Sequence, residues 1–271
     1  MTHYAFPPGG LPDQRKLANS QAVFTTAYAV IPRTTMTDIV TSALPHWDGT
    51  RAWVLARPLT GFAETFSQMI IEVAPGGGSA LPDTDPSAQS VLFVLDGTGE
   101  ITVNGATHVL LAGSYVYLPP ACDWALRNNG DHTLRCTWVR KQYQPVQGID
   151  VPSAFVTHEN VVDAIEMPGT DGAWATKRFV DPTDLRHDMH VNIVEFHAGA
   201  AIPFLETHVM EHGIYILEGK GVYRLNRDWV EVEGGDFLWL RAFCPQACYA
   251  GGPGRFRYLL YKDVNRHMAL G

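Results

Sequence analysis

The amino-acid sequence predicts an all-β protein that contains two copies of one β unit. Short apolar runs alternate with turns rich in Gly, Pro, Asp and Asn from about Ala52 onward in the 271-residue chain. No window carries an apolar stripe with the 3.6-residue period of an amphipathic helix. A segment of the first half also recurs in the second half, with its apolar residues and glycines in the same order.

Taken in order, the chain begins with a segment that differs from the rest. Residues 1–35 mix Pro, Gly and polar residues around one apolar piece, 22–31, which we predict to be an extended arm lying on a sheet or on another subunit. The first strands of a regular β unit follow. They include the apolar runs at 53–55, 69–73 and 91–95.

The internal repeat defines the domain organisation. Residues 92–104 (LFVLDGTGEITVN) align with 214–226 (IYILEGKGVYRLN) at an offset of 122 positions, which is 214 minus 92. The same offset pairs Gly113 with Gly235 and Cys122 with Cys244. We therefore predict four parts: an N-terminal arm at 1–35, a first barrel at 36–148, a linker at 149–165 and a second barrel at 166–271.

Charge and cysteine content exclude several classes of function. The formal net charge of -8 and the absence of a basic block argue against nucleic acid or an anionic membrane as a partner. No apolar run is long enough to span a bilayer, and the first residues lack the pattern of a signal peptide. The 4 cysteines are too few, and too embedded in apolar sequence, for a disulfide framework. We therefore expect a cytoplasmic protein.

A cluster of metal-ligand side chains precedes the second copy of the repeat. Glu206, His208 and His212 fall within one short stretch, directly before an apolar run. Glu206 and His208 are two positions apart and share one face of an extended strand, while His212 reaches the same place after a short bend. A fourth candidate, Gln246, follows Pro245 where a later strand begins. Such donors at one place predict a metal ion.

The first copy of the repeat provides a comparison for this cluster. The four positions that lie 122 residues earlier hold no good metal ligand. They are Thr84, Pro86, Ser90 and Trp124. Because the β scaffold is repeated and the donors are not, we place one metal in the second barrel and expect a structural or interface role for the first.

The donor pattern resembles the two motifs of the cupin fold, in which a glycine-led stretch supplies three ligands and a later stretch with glycine and proline supplies the fourth. The resemblance implies a bicupin, two tandem double-stranded β-helix (jelly-roll) barrels. One carboxylate, two imidazoles and a carboxamide, with no thiolate, favour a six-coordinate Mn²⁺ or Fe²⁺ with open positions over structural zinc.

A rival motif occupies the same residues. His208-Val-Met-Glu211-His212 is an H-x-x-E-H sequence, which in zinc peptidases lies on a helix so that both histidines share one face. Gly213 and the β-branched run after it favour a strand over a helix. A further alternative is that these histidines are ordinary surface or core residues.

Two residues late in the chain are candidates for substrate binding. Tyr258 and Lys262 share parity in the strand predicted at 255–263, so both project to one face. If that face is the barrel interior, Lys262 is a cation in a mostly apolar cavity and needs an anion, such as a substrate carboxylate. If the face is exposed, Lys262 is an ordinary surface charge.

Two longer segments resemble the (S)-ureidoglycine aminohydrolase family, two-cupin manganese enzymes of allantoin degradation. They are 206–246, which begins ETHVMEHGIYILEGKG, and 257–266, RYLLYKDVNR. The resemblance implies a metal site formed by Glu206, His208, His212 and Gln246. It also implies that four residues contact the substrate: Glu206, Gln246, Tyr258 and Lys262. Of these, Glu206 and Lys262 are the implied catalytic residues.

The resemblance further implies one Mn²⁺ per chain, in the second barrel, and a hydrolase that converts (S)-ureidoglycine and water to (S)-ureidoglycolate and ammonia. The expected partner is a small ureido substrate with a carboxylate, and exposed β edges together with the arm predict a homo-oligomer. Two alternatives stay open. One is an Fe²⁺-dependent dioxygenase, which needs the same open coordination positions, and the other is a cupin that only binds a small molecule.

Overall fold

The computed structural model describes residues 22–263 and confirms the all-β prediction. Over this range the regular elements are β-strands and four short 3₁₀ helices, with no α-helix. The 3₁₀ helices are Arg33–Thr35, Asp38–Val40, Pro58–Thr60 and Glu159–Val161. Within the same range, no helix is long and apolar enough to cross a membrane. The predictions that concern residues 1–21 and 264–271 lie outside the described residues.

Twenty strands are present between residues 22 and 263, numbered here in chain order. They are β1 (Val23–Phe24), β2 (Tyr28–Ile31), β3 (Asp48–Ala56), β4 (Ser67–Ser79), β5 (Ala88–Asp96), β6 (Thr98–Val103), β7 (Ala106–Leu111), β8 (Ser114–Leu118), β9 (Trp124–Arg127), β10 (Leu134–Gln142), β11 (Phe155–His158), β12 (Ala164–Glu166), β13 (Trp174–Lys177), β14 (Met189–Phe196), β15 (His212–Glu218), β16 (Lys220–Leu225), β17 (Asp228–Glu233), β18 (Phe237–Leu240), β19 (Gln246–Tyr249) and β20 (Phe256–Asp263).

The described residues divide into two compact units. The first unit contains Met36–Arg57 and Phe66–Val161, and the second contains 22–35, Pro58–Thr65 and 162–263. Residues 22–31, predicted as an arm, form β1 and β2, and β2 pairs with β18 of the second unit. Within the predicted linker, β11 pairs with β8 of the first unit.

The first unit is a nine-stranded antiparallel sheet with the order β11-β8-β5-β10-β4-β9-β6-β7, in which β3 also pairs with β4. Because β4 is long, one part of it pairs with β3 and β10 and its end pairs with β9. Buried and more exposed residues alternate along β6, where Ile101 and Val103 enter the core. The sheet therefore folds round an apolar interior, as a barrel requires.

The second unit contains an eight-stranded sheet, β1-β2-β18-β15-β20-β14-β13-β12, and a three-stranded sheet, β17-β16-β19. Buried residues of both sheets form one cluster, in which Tyr223 and Leu225 of β16 join Val194, Ile214 and Leu238 of the larger sheet. The core therefore lies between two packed sheets, the arrangement of a jelly-roll barrel.

The predicted repeat is present in the backbone. Strands β6 and β16, β7 and β17, and β9 and β19 begin and end at positions 122 residues apart. Gly97 and Gly219, at the same offset, have φ of 81° and 84°. A Cβ atom would lie 2.4 Å from the Thr133 oxygen at Gly97 and 2.2 Å from the Arg255 oxygen at Gly219. Both turns therefore require glycine, for the same steric reason.

The prediction that the cysteines form no disulfide framework agrees with the structure. Cys122, Cys136, Cys244 and Cys248 are all free thiols. Burial raises the pKa of both Cys136 and Cys248 to about 12, so neither is a thiolate at neutral pH. These two are core residues in the two units.

Candidate metal centre

One cavity of the second unit, with a volume of about 160 Å³, is lined by all six residues predicted for the site. They are Glu206, His208, His212, Gln246, Tyr258 and Lys262. About five water molecules occupy this volume in liquid water, so the cavity suits a small ligand.

The wall of this cavity is formed by facing residues of β14, β20 and β15. Lys262 on β20 pairs with His190 on β14 and with His212 on β15, so the three side chains form one row across the sheet. Leu260, two residues earlier on β20, pairs with Asn192 on β14. Of the two orientations considered for Lys262, the structure therefore has the one that faces the barrel interior.

Glu206 and Gln246 are held opposite each other by the backbone. The Glu206 amide donates to the Gln246 carbonyl, and the Gln246 amide donates to the Glu206 carbonyl, both at 2.9 Å. The strand expected to run through His208 ends at this single bridge, and residues 207–211 form a loop. The Phe243 amide, which donates to the His208 carbonyl at 2.6 Å, fixes that loop. A loop, and not strand alternation, therefore places His208.

The four predicted ligands lie close together in pairs. His208 Nε2 is 3.3 Å from Glu206 Oε2, and the rings of His208 and His212 have centroids 5.1 Å apart. Gln246 Nε2 and His212 Nδ1 are 3.3 Å apart. As the side chains stand, no group of three or more His, Cys, Asp or Glu between residues 22 and 263 is arranged to hold a metal ion.

His212 nevertheless has the state that a metal ligand requires. Its other ring nitrogen, Nε2, is buried and has no hydrogen-bond partner among the described residues. Burial, together with the nearby charges of His208 and Lys262, lowers the pKa of His212 to about 3. The imidazole is therefore neutral at physiological pH, which is the form that binds metals. The donor set fits a divalent cation in its chemistry.

The charges around the cavity are unbalanced in favour of cations. Burial lowers the pKa of Lys262, and the nearby Arg178 lowers it further, while Glu206 acts in the opposite direction. Arg178 also lines the cavity. Two cationic side chains and one carboxylate therefore line the cavity, and an anionic group entering it is stabilised by the excess positive charge.

Tyr258 offers the cavity a neutral hydroxyl. Its side chain is 5% exposed, and burial raises its pKa well above the usual value, so it is a phenol and not a phenolate. The ring packs edge-on against Tyr223 at a centroid distance of 6.0 Å. Tyr223 itself is buried in the core and is absent from the cavity lining.

The structure does not contain the helical peptidase motif around Glu211. The segment from His208 to His212 is a loop followed by a strand, so the helix that the H-x-x-E-H motif needs is not formed. The Glu211 carboxylate accepts hydrogen bonds from the amides of Glu64 and Thr65 and from the Trp239 indole, and its own amide donates to Asp263. Glu211 is therefore a buried anchor for the segment Pro58–Thr65.

Known proteins are similar to this chain over most of its length. A model of the cupin domain matches residues 69–140, which lie in the first unit. The (S)-ureidoglycine aminohydrolase of Arabidopsis thaliana is 32% identical over 235 residues, covering 84% of this chain and 74% of the relative. The chain belongs to the (S)-ureidoglycine aminohydrolase family. Its bicupin fold is the one expected from the repeat.

Two further members of the comparison cover nearly the same length. The (S)-ureidoglycine aminohydrolase of Escherichia coli is 29% identical, over 86% of this chain and 87% of the relative. The crystal structure of a protein from Pseudomonas aeruginosa, described as glyoxylate-induced, is 61% identical and superposes with a TM-score of 0.90. It covers 98% of this chain and 97% of the other.

Two cavity residues of this family member were not found from the sequence. Asn192 lies within the apolar run of β14, and Arg178 follows the end of β13. Asn192 shares parity with His190, so a polar position at every second residue of an otherwise apolar strand was an available signal. For Arg178 the sequence contains no comparable signal, because its position depends on which strands are neighbours.

Proposed function

We propose that this protein is a manganese-dependent (S)-ureidoglycine aminohydrolase, which converts (S)-ureidoglycine and water to (S)-ureidoglycolate and ammonia in allantoin degradation. The observation that carries the proposal is that all six residues predicted from the family resemblance line one small cavity. We also propose that the protein acts in the cytoplasm as a homo-oligomer, without nucleic-acid or membrane partners. The free thiols and the net charge of -8 support the location and the absence of such partners.

Four residues would hold the ion: Glu206, His208, His212 and Gln246. Oxygen and nitrogen donors without thiolate suit Mn²⁺, and they leave positions for water or substrate. When bound, the metal supplies Lewis-acid stabilisation of developing charge and a fixed point against which the substrate is oriented. The buried, unpaired Nε2 of His212 supports this assignment from the protein side.

Lys262 binds the substrate carboxylate in this proposal. Its ammonium group lies beside Arg178 and the metal-ligand cluster in a cavity with surplus positive charge. Tyr258, a buried neutral phenol, adds a hydrogen bond at the same wall. A carboxylate fixed at Lys262 orients the reacting carbon, so that only one enantiomer presents its amino group to the cluster.

The reaction exchanges one C–N bond for one C–O bond. The reacting carbon carries an amino and a ureido nitrogen, so the lone pair of the ureido nitrogen assists departure of the amino group as ammonia. Water then adds to the carbon of the resulting imine. In this proposal Glu206 supplies the proton that the leaving amine requires and takes a proton from the attacking water. The balance is one water consumed and one ammonia released, without an oxidant.

The test combines two measurements on purified full-length protein. Ammonia release is followed after addition of freshly prepared ureidoglycine, and the metal content is determined by elemental analysis. We expect ammonia release in proportion to the manganese bound. Oxygen uptake with catechol-like substrates, and no ammonia, would indicate the dioxygenase alternative. Binding of ureidoglycine without turnover by the metal-loaded protein would indicate the non-catalytic alternative.

A further inference from the structure

The buried side chain of Asn192 has a polar atom without a hydrogen-bond partner among the described residues. It lies in the middle of β14, is 3% exposed and lines the metal-centre cavity. Its Oδ1 is buried and accepts no hydrogen bond from any described residue. An unsatisfied buried carboxamide costs about 1–3 kcal/mol, so a residue of this kind needs a compensating function.

The register between β13 and β14 brings Arg178 next to Asn192. The ladder between β13 and β14 ends with Lys177 opposite Ile193. Arg178 follows Lys177, and Asn192 precedes Ile193, so the two lie side by side at the end of the ladder. Arg178 is half-buried, lines the same cavity and has no carboxylate partner within residues 22–263.

A ligand group that satisfies both side chains must contain an acceptor and a donor next to each other. The Arg178 guanidinium only donates, and Asn192 Oδ1 only accepts. A carboxylate has acceptors alone, so it would leave Oδ1 without a partner. A ureido group is planar and carries a carbonyl oxygen beside a terminal NH₂, which matches the pair.

We propose that Asn192 and Arg178 form the subsite that recognises the ureido group of the substrate. The ureido NH₂ donates to Asn192 Oδ1, and the ureido carbonyl accepts from Arg178. This inference rests on the proposed function and assigns the specificity of the same cavity. Along β20 the neighbouring row contains Lys262, about 7 Å from the row of Asn192, so carboxylate and ureido group bind at adjacent places on one wall.

Two inert ligands test the subsite without turnover. Hydantoate has the ureido group and the carboxylate but no leaving amine, and N-acetylglycine replaces the terminal NH₂ of the ureido group by methyl. Binding of each to the manganese-loaded full-length protein is measured by calorimetry. We expect the wild type to bind hydantoate at least about tenfold more tightly, because the methyl group leaves Oδ1 unpaired. A wild-type ratio near one overturns the proposal, whatever the variants do.

Two substitutions separate the parts of the subsite. Asn192→Leu should bring the two affinities to within about twofold of each other. Arg178→Met should weaken both ligands by about tenfold or more and leave their ratio unchanged, because both contain the carbonyl. Thr176→Val, at the same cavity wall, is the control and should keep the wild-type affinities. The assignment is wrong if Asn192→Leu keeps the wild-type ratio of the two ligand affinities. It is also wrong if Arg178→Met keeps the wild-type affinities.

The ammonia assay distinguishes failure of this inference from failure of the proposed function. If the wild-type protein releases ammonia from ureidoglycine but binds the two inert ligands equally, the proposed function is supported and the proposed subsite is wrong. Protein that discriminates between the ligands but releases no ammonia retains a ureido-binding cavity, and only the catalytic proposal is then wrong.

Discussion

The two units have the same strand pattern but differ in the residues at the position of the metal centre. The first unit also has a cavity there, of about 410 Å³. Its lining includes all four positions that correspond to the predicted ligands. They are Thr84, Pro86, Ser90 and Trp124. The cavity is therefore a property of the repeated scaffold, whereas the donor set belongs to one copy.

Aromatic packing accounts for part of this difference. Trp124 replaces Gln246 at the equivalent position, and it packs against Trp47 and Trp138 with ring centroids 6.3 Å and 5.7 Å away. All three indoles belong to the apolar core of the first unit. Trp124 therefore stabilises the first barrel by aromatic packing at a position where the second barrel has a polar donor.

The cation at the equivalent of Lys262 is used differently in each unit. Arg140, 122 positions earlier, donates two hydrogen bonds of 2.6 Å to Asp83, one from Nε and one from Nη2. Within residues 22–263, Lys262 is hydrogen-bonded to no carboxylate in this way, and the nearby Glu206, which raises its pKa, also belongs to the predicted metal site. A cation that is neutralised within the protein supports the fold, whereas one left without its own counter-ion is available to an anionic ligand.

The largest expected difference between the units concerns the position of His212. His212→Ala removes a ligand, so we expect loss of bound manganese and a fall in kcat/KM for ureidoglycine of at least about 10³-fold. The matched control is Ser90→Ala, at the same position of the first repeat. It should retain the metal and stay within about twofold of wild-type activity. Equal losses in both variants, measured by elemental analysis and ammonia release, would remove the functional distinction between the barrels.

The second comparison concerns stability. Trp124→Ala should lower the free energy of unfolding by about 3–5 kcal/mol, because it opens a cavity among the packed indoles. Gln246→Ala, the equivalent change in the second unit, should cost far less stability and instead reduce manganese binding. Urea denaturation followed by tryptophan fluorescence measures the first effect. A loss below about 1 kcal/mol for Trp124→Ala would show that the aromatic cluster does not support the first barrel.

These comparisons also show what the sequence could predict. The offset of 122 positions located the strands of both copies, because glycines such as Gly97 and Gly219 impose the same turn on each. The metal-ligand candidates were predictable because their residue types are unusual so close together. Asn192 and Arg178 were not, since their meeting depends on the register between β13 and β14. The same holds for Glu211, whose partners at Glu64 and Thr65 are distant in sequence.

The smallest effects are expected from replacing the two equivalent cations, Lys262 and Arg140. We expect the first replacement to reduce activity and the second to reduce stability. Lys262→Ala should lower kcat/KM for ureidoglycine by about 10²-fold with little change in stability, because the lost partner is a ligand carboxylate. Arg140→Ala should leave kcat/KM within about twofold but lower the free energy of unfolding by about 1–2 kcal/mol, since Asp83 then loses both hydrogen bonds. The Arg140 side chain is 28% exposed, which keeps this loss below that of a fully buried pair. If Lys262→Ala keeps kcat/KM within a few-fold of wild type, the carboxylate lies elsewhere, and the contrast between the two cations has no functional meaning.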